Sequence, residues 1–298
     1  MIIFTVLYLC ALFLLGAILG SFLNVVAVDS MNVYMKNGLA EKSELQFIWQ
    51  TLRSKEFWKH LITHRSSCDT CSTVLTPKEL VPVVSYLWQK GHCRTCETSF
   101  SPQHLYVEIL SGVIFLTVFL QIFDSYEVLG AAFIGEVFYM FLFFGLAIIL
   151  LLFDYEHMIV PNLLVYPLVV LAFGTHILGF NSVPDVSLLE GAIAALALAA
   201  PLFLLWAFSK GTWMGMADSK IALVMGALLG LSLGLSAWVI SFWVGALVAL
   251  TLVATDSYLK KRSKTEEQVT MKSAIPFGPF MVIALWFVYI TGYGVFPF

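Results

Sequence analysis

Two aspartates stand out in this chain because each lies at the edge of a long apolar run. Asp154 ends one such run, and Asp218 begins another within the stretch 215–220, whose residues read GMADSK. A carboxylate held at the boundary of a membrane costs several kcal/mol unless it is solvated or paired, so a charge in this position indicates a functional site. The pattern favours one site built from both aspartates.

Each aspartate taken alone has a simpler interpretation. Asp218 could cap the helix that follows it, with Lys220 in the first turn, and Asp154 could be a solvated helix end. Two carboxylates a few ångströms apart, however, cannot easily both ionise, so one keeps its proton and acts as a general acid while the other activates water. Such a pair can hydrolyse a peptide bond without a metal ion or a covalent intermediate.

Four of the five cysteines form two closely spaced pairs, Cys68-x-x-Cys71 and Cys93-x-x-Cys96. This pattern is typical of a zinc site with four thiolate ligands, and a closed site of that kind is structural because it leaves no position for water. Two disulfides, or unliganded thiols, are the alternatives. Cys10 stands alone in an apolar run, where a cysteine usually packs as a small hydrophobic residue.

The composition indicates a polytopic all-α membrane protein. Of the 298 residues, 60% are hydrophobic and 12% charged, with a mean hydropathy of +0.90, whereas soluble domains carry about 25% charged residues. Membrane lipid is therefore an expected partner, and nucleic acid is not. Since a spanning helix needs about 20 mostly apolar residues, the sequence predicts about eight spans, at 2–28, 105–123, 130–153, 160–180, 188–208, 219–233, 237–255 and 275–296.

The basic residues predict the orientation of these spans. Nine of the 16 lysines and arginines lie between the first two predicted spans, five lie between the last two, and the others are Lys210 and Lys220. Eight spans place all of them on one side, which the positive-inside rule makes cytoplasmic. Both aspartates then lie at the cytoplasmic face. The cysteine pairs lie in a reducing compartment, which favours zinc over disulfides.

Four further features have roles that the sequence leaves open. The segment 41–64 is amphipathic and is expected to pack or to lie at the membrane interface. The segment 276–279, Pro-Phe-Gly-Pro, interrupts helical structure where the last span begins, which fits either a substrate cleft or an ordinary turn. Gly215 would allow a close approach of two backbones. Glu136 lies inside the third predicted span, and the sequence suggests no partner for it.

Taken in order, six stretches resemble the type IV prepilin peptidase family, and together they cover nearly the whole chain. The second aspartate stretch is of the Gly-x-Gly-Asp type shared with presenilin-like proteases, although Ala217 stands where the second glycine is usual, and alanine resists a positive φ. The matching stretches are 20–26 (GSFLNVV), the two cysteine pairs, the segment from Ser85 to Glu108, Asp154 with Pro161, 215–220, and 277–280 (FGPF).

The resemblance implies an aspartyl endopeptidase of the bacterial inner membrane. Such an enzyme removes the short basic leader of prepilins or pseudopilins after a glycine at the cytoplasmic face, and it can N-methylate the new terminus with S-adenosylmethionine. Asp154 and Asp218 would be catalytic. The supporting residues would be Gly215, Lys220, Gly278 and Pro279, and the ligands of a structural zinc would be Cys68, Cys71, Cys93 and Cys96.

The implied domains are a first transmembrane helix at 1–28, a cytoplasmic loop domain with the four-cysteine site at 29–104, and a transmembrane protease domain at 105–298. Two other classes of function remain open at this point. A proton-coupled transporter could use the same carboxylates as a relay, and a non-catalytic scaffold could dock a pilus-assembly partner on its zinc loop. The sequence gives no prediction for the oligomeric state.

Overall fold

Helices make up most of the chain in the computed structural model, which describes residues 2–36, 66–68, 70–260 and 276–296. The predicted amphipathic segment 41–64 and positions 261–273 of the last basic loop lie outside the described residues. A 3₁₀ turn spans Pro77–Leu80. The α-helices are α1 (Ile2–Lys36), α2 (Val84–Trp88), α3 (Pro102–Asp124), α4 (Ala131–His157), α5 (Asn162–Leu178), α6 (Leu188–Ser209), α7 (Met216–Lys260) and α8 (Gly278–Thr291).

The prediction of an all-α, multi-pass membrane protein is confirmed. Five helical segments are long and apolar enough to cross a bilayer, and they lie in α1, α3, α4, α6 and α7. Two shorter helices, α5 and α8, are also apolar. The finer count of eight spans stays a prediction, because the sixth and seventh predicted spans fall in the one long helix α7.

The chain divides into two compact units, 1–149 and 150–298, with the boundary inside α4. In the first unit, α1 packs along α3. Near the start of α3 the side-chain amide of Asn24 lies 2.9 Å from Nδ1 of His104. Between α1 and α3 in sequence, the described residues include two cysteine turns (67–74 and 92–99), the 3₁₀ turn and α2.

Glu136 has a partner that the sequence did not suggest. Its side chain is fully buried in the first unit, and its Oε2 accepts a hydrogen bond of 2.6 Å from the hydroxyl of Tyr126. The Tyr126 ring packs edge-on against Phe133. Burial, together with the hydrogen bond to Glu136 and the charge of that carboxylate, raises the pKa of Tyr126 to about 12. The tyrosine therefore stays protonated and keeps donating to the buried carboxylate.

In the second unit, α7 packs against α5, α6 and α8. This helix is interrupted at Gly230, whose φ of 72° and ψ of −169° are not helical. The sequence had placed the interruption a few residues later, between 233 and 237. Close to the break, Nε2 of His176 lies 2.8 Å from the carbonyl oxygen of Ala227. Because a carbonyl oxygen can only accept, the imidazole of His176 donates this hydrogen bond next to the break.

Candidate active site and metal site

Asp154 lies in the last turn of α4, and its side chain is only 4% exposed. Oδ2 accepts a hydrogen bond of 2.8 Å from the backbone N–H of Gly278, the first residue of α8. The first N–H groups of a helix have no partner within it, and the helix dipole favours negative charge there. Asp154 is thus held by the N-terminus of a helix more than 120 residues further along the chain.

The contact with Asp154 requires glycine at position 278. A Cβ atom built there would lie 2.5 Å from Oδ2 and 2.9 Å from Cγ of Asp154, and 3.0 Å from Cδ1 of Ile221. Separations below 3.0 Å force atoms to shift. Pro279 follows in the first turn of α8 and is buried, and it has no N–H that would need a partner there.

Asp218 lies in the first turn of α7 and is 7% exposed. Its carboxylate accepts a hydrogen bond from the backbone N–H of Gly215 and interacts electrostatically with Asp154. A Cβ at Gly215 would meet no atom closer than 3.8 Å, so the glycine is not needed there for space. Ala217 lies within the helix and is absent from the positive-φ residues of the described chain, so alanine meets no strain at this position.

The second unit therefore brings together the two aspartates that the sequence singled out. Both side chains are almost fully buried, and each accepts a hydrogen bond from a backbone N–H. The two carboxylates also interact electrostatically with each other. Two carboxylates in such a setting share a proton, which supplies an acid and a base in one site. Lys220 lies in the same turn as Asp218 and is half-buried.

The four paired cysteines meet in the first unit. Their Sγ atoms all lie within 4.8 Å of one another, with Cys68 and Cys96 3.7 Å apart and Cys71 and Cys93 3.8 Å apart. Four thiolates around one zinc ion at Zn–S distances of about 2.3 Å would be about 3.8 Å apart. The residues present fit a structural zinc ion, and they leave no open coordination position.

The two cysteine turns are built alike, which the sequence analysis missed. In each turn a residue with positive φ follows the second cysteine, namely Ser72 at 55° and Glu97 at 57°. A threonine hydroxyl comes next, 3.2 Å from the sulfur of the second cysteine. An antiparallel bridge closes each turn. The signal was present in the sequence as a repeated Cys-x-x-Cys-x-Thr.

Hydrogen bonds in these turns favour the thiolate form of Cys71 and Cys93, while burial raises the pKa of Cys68. The side chain and the backbone of Thr73 lower the pKa of Cys71 to about 6. Backbone hydrogen bonds from Cys96 and Thr95 lower the pKa of Cys93. Because zinc binds deprotonated sulfur, these bonds reduce the cost of releasing protons when the metal binds.

We expect the purified protein to carry about one zinc ion per chain, since a four-thiolate cluster holds a single ion. Cys71→Ser should lower the zinc content well below that value in elemental analysis. Cys10→Ser is the matched control, because Cys10 is an exposed cysteine outside the cluster, and it should leave the content unchanged. A wild-type protein that contains no zinc and four alkylatable thiols in this cluster would contradict the assignment.

Comparison with known proteins identifies both halves of the chain. Residues 14–122 match the model of the Bacterial Peptidase A24 N-terminal domain, and residues 141–250 match that of the Type IV leader peptidase family. The first match contains the four cysteines, and the second contains Asp154 and Asp218. No solved structure shows significant similarity to the chain.

Curated relatives extend the similarity over almost the full length. Three of them bear the name prepilin leader peptidase/N-methyltransferase. The protein from Aeromonas salmonicida (strain A449) is 27% identical over 290 residues, which is 96% of this chain and 91% of the relative. That from Pseudomonas aeruginosa is 26% identical (95% and 90% covered), and that from Neisseria gonorrhoeae is 29% identical (92% and 87% covered). The chain therefore belongs to the type IV prepilin peptidase family.

Proposed function

We propose that this protein is a membrane aspartyl endopeptidase that removes the leader of type IV prepilins or pseudopilins. The observation that carries the proposal is the buried pair Asp154 and Asp218, interacting electrostatically within one unit of the chain. The family and the names of the relatives support the substrate class. Cleavage after a glycine that ends a short basic leader is part of the proposal.

The chemistry follows from two carboxylates that share one proton. The ionised member takes a proton from water as the water attacks the scissile carbonyl, and the protonated member donates to the leaving amide nitrogen. No covalent intermediate forms. The N–H of Gly278 holds Oδ2 of Asp154 and leaves Oδ1 available for the attacking water or the substrate. The N–H of Gly215 donates to the carboxylate of Asp218. Lys220 is proposed as a nearby positive charge.

A second activity, N-methylation of the new N-terminus, belongs to the proposal because the relatives carry that name. S-adenosylmethionine would supply the methyl group. Among the described residues of the first unit, the buried polar side chains are Asn24, Ser111 and Glu136, and of these only Oδ1 of Asn24 has no hydrogen-bond partner. One such acceptor does not make a nucleoside pocket, so we assign the cofactor no residues and derive no step through it.

The proposed setting is the bacterial inner membrane, with eight spans and the dyad at the cytoplasmic face. The distribution of the basic residues supports this topology. The proposed domains are the first transmembrane helix at 1–28, the zinc-binding loop domain at 29–104 and the protease domain at 105–298. The family matches on either side of residue 130 support a division between a cysteine-bearing part and a dyad-bearing part.

This topology predicts which added cysteines react from outside the cell. In a chain that carries Cys10→Ser, Asp185→Cys should react with an impermeant maleimide in intact cells, because residue 185 lies in the loop between the fourth and fifth predicted spans. Ser263→Cys, in the basic loop, should react only after the cells are permeabilised. The opposite pattern would place the dyad at the outer face and overturn the proposed location.

A transporter has less support, because transport sites usually lie near the middle of the bilayer on broken helices. Asp154 and Asp218 lie instead at the end of α4 and the start of α7. The break in α7 is at Gly230, about three helical turns beyond Asp218. A non-catalytic scaffold would not need two buried carboxylates that interact with each other.

The protease proposal is tested by incubating the protein, reconstituted in liposomes, with a purified type IV prepilin. We expect a product shortened by the leader, whose N-terminal residue is the one that follows the glycine. Mass spectrometry of the product gives both the cleavage position and any added methyl group. A prepilin that stays intact with a folded, zinc-loaded protein would count against the proposed activity.

A further inference from the structure

The short helix α2 presents an apolar face that is exposed among the described residues. Val84, Leu87 and Trp88 are spaced i, i+3 and i+4, so they lie on one side of the helix. Leu87 is 62% exposed and Trp88 is 82% exposed. Leu80 and Val81, just before the helix, are exposed as well. These five residues are called the α2 patch, and they lie outside all the candidate membrane spans.

The α2 patch is tied to the point where a membrane span begins. The backbone N–H of Val83, the residue that precedes α2, donates a hydrogen bond of 2.8 Å to Oε2 of Glu108. Glu108 lies in the second turn of α3, a candidate span that starts at Pro102. A carboxylate in the second turn of a span belongs at the level of the lipid headgroups. The bond therefore holds α2 at the same depth.

The turn after α2 fixes the direction of the helix within this unit. The N–H of Gly91 donates to the carbonyl of Tyr86 over 2.9 Å, and the N–H of Phe100 donates to the carbonyl of Gly91 over 2.7 Å. The Tyr86 ring lies against Gly91, where a Cβ atom would come within 2.9 Å of it. Hydrogen bonds before and after α2 therefore fix the orientation of its apolar face within this unit.

Exposed cations flank the α2 patch. Lys78 lies in the 3₁₀ turn before it, and Lys90 lies two residues after the end of α2. Arg94 is held in an ion pair of 3.2 Å with Glu79. Segments that lie at a bilayer interface typically combine tryptophan and leucine with lysine. The aromatic rings lie at the level of the headgroups, and the cations face anionic lipids.

We propose that the α2 patch inserts into the headgroup region of the leaflet at which α3 enters the membrane. Its occupant is lipid, with the apolar side chains at the acyl boundary and Lys78 and Lys90 facing anionic headgroups. Continuity with α3, through the bond between Val83 and Glu108, favours lipid over a protein partner. The two cysteine turns, which lie before and after α2 in the sequence of the same unit, are then docked on the bilayer surface by α2. This inference does not depend on the protease activity.

The proposal is tested with the full-length protein carrying photoreactive benzoylphenylalanine at position 88. The protein is reconstituted in vesicles of phosphatidylethanolamine and phosphatidylglycerol, irradiated, and analysed by mass spectrometry. We expect lipid adducts at position 88, and we expect the yield to fall at least severalfold when the probe replaces Thr95, an exposed residue of the second cysteine turn. Zinc content measured on each variant shows that the unit is folded.

The adduct identifies the occupant of the patch. Adducts at position 88 with peptides of this chain or of a second copy, or equal lipid yields at positions 88 and 95, would overturn insertion into the bilayer. Replacing both Lys78 and Lys90 by Gln should reduce the share of phosphatidylglycerol among the lipid adducts. An unchanged share would overturn the role of these lysines and leave the apolar insertion supported by the adducts themselves.

Discussion

Asparagine at Asp154 or at Asp218 is expected to lower the rate of prepilin cleavage by on the order of 10³-fold, because either change removes one member of an acid–base pair. The double variant should be little worse than either single one, since residues that act as a unit are not additive. The measurement is cleavage of a purified prepilin by liposome-reconstituted protein, with protein amount set by quantitative blotting. A single variant that keeps near-wild-type cleavage would remove that aspartate from the catalytic pair.

The asparagine variants separate chemistry from folding. Asparagine keeps an oxygen that can accept the N–H of Gly278, so Asp154→Asn should retain the wild-type midpoint of thermal unfolding in detergent. Asp154→Ala leaves that buried N–H without a partner, which costs about 1–3 kcal/mol, so it should be both inactive and less stable. Asp185→Asn is the control, because Asp185 is an exposed aspartate of the same unit. It should cleave like the wild type.

Hydropathy was sufficient to predict that the chain is a set of long apolar helices, while the depth of the two aspartates in the membrane stays a prediction. An apolar run of about 20 residues spans the hydrocarbon core of the membrane, so a carboxylate at its end is expected at the membrane surface. Two predicted spans lie between Asp154 and Asp218, so the chain crosses the membrane and returns to the same face. This predicts that both aspartates lie at the same depth in the membrane. The structure places both in one unit, interacting with each other.

The lateral contacts could not be predicted in the same way. Hydropathy does not say which side of a helix faces which neighbour, because in this chain apolar residues surround most helices. For that reason the Gly278 N–H was not recognised as a donor to Asp154, and Tyr126 was not recognised as the partner of Glu136. The break at Gly230 was misplaced because the apolar pattern continues through it.

The contacts among the four cysteines, in contrast, could be predicted from the sequence. Thiolate ligands have a fixed chemistry and a fixed local turn, so two Cys-x-x-Cys pairs predict a tetrahedral cluster without any knowledge of the fold. The structure brings the four sulfurs within 4.8 Å of one another, as that prediction requires. What the spacing did not predict is the threonine that follows each turn, since a hydroxyl–sulfur contact depends on the positive φ of the residue before it.

Gly278→Ala should lower the cleavage rate by about 100-fold, although it changes a residue that takes no part in proton transfer. The added methyl group would lie 2.5 Å from Oδ2 of Asp154, a separation that the two atoms cannot keep. Either the carboxylate turns away or the start of α8 moves back, and in both cases the 2.8 Å hydrogen bond is lost. A displacement of about 1 Å at a reacting group can cost about 100-fold in rate.

The loss should fall on kcat rather than on KM, because the substituted residue disturbs Asp154 and not the binding of the distant parts of the prepilin. Gly135→Ala is the matched control: Gly135 lies in α4, the helix that carries Asp154, and a Cβ there meets nothing within 4 Å. That variant should cleave at the wild-type rate. Gly215→Ala should lose much less activity than Gly278→Ala, since its methyl group would have contacts no closer than 3.8 Å. If Gly278→Ala cleaves within about threefold of the wild type, far from the 100-fold loss a 1 Å displacement can cause, then the N–H of α8 does not position Asp154 for catalysis.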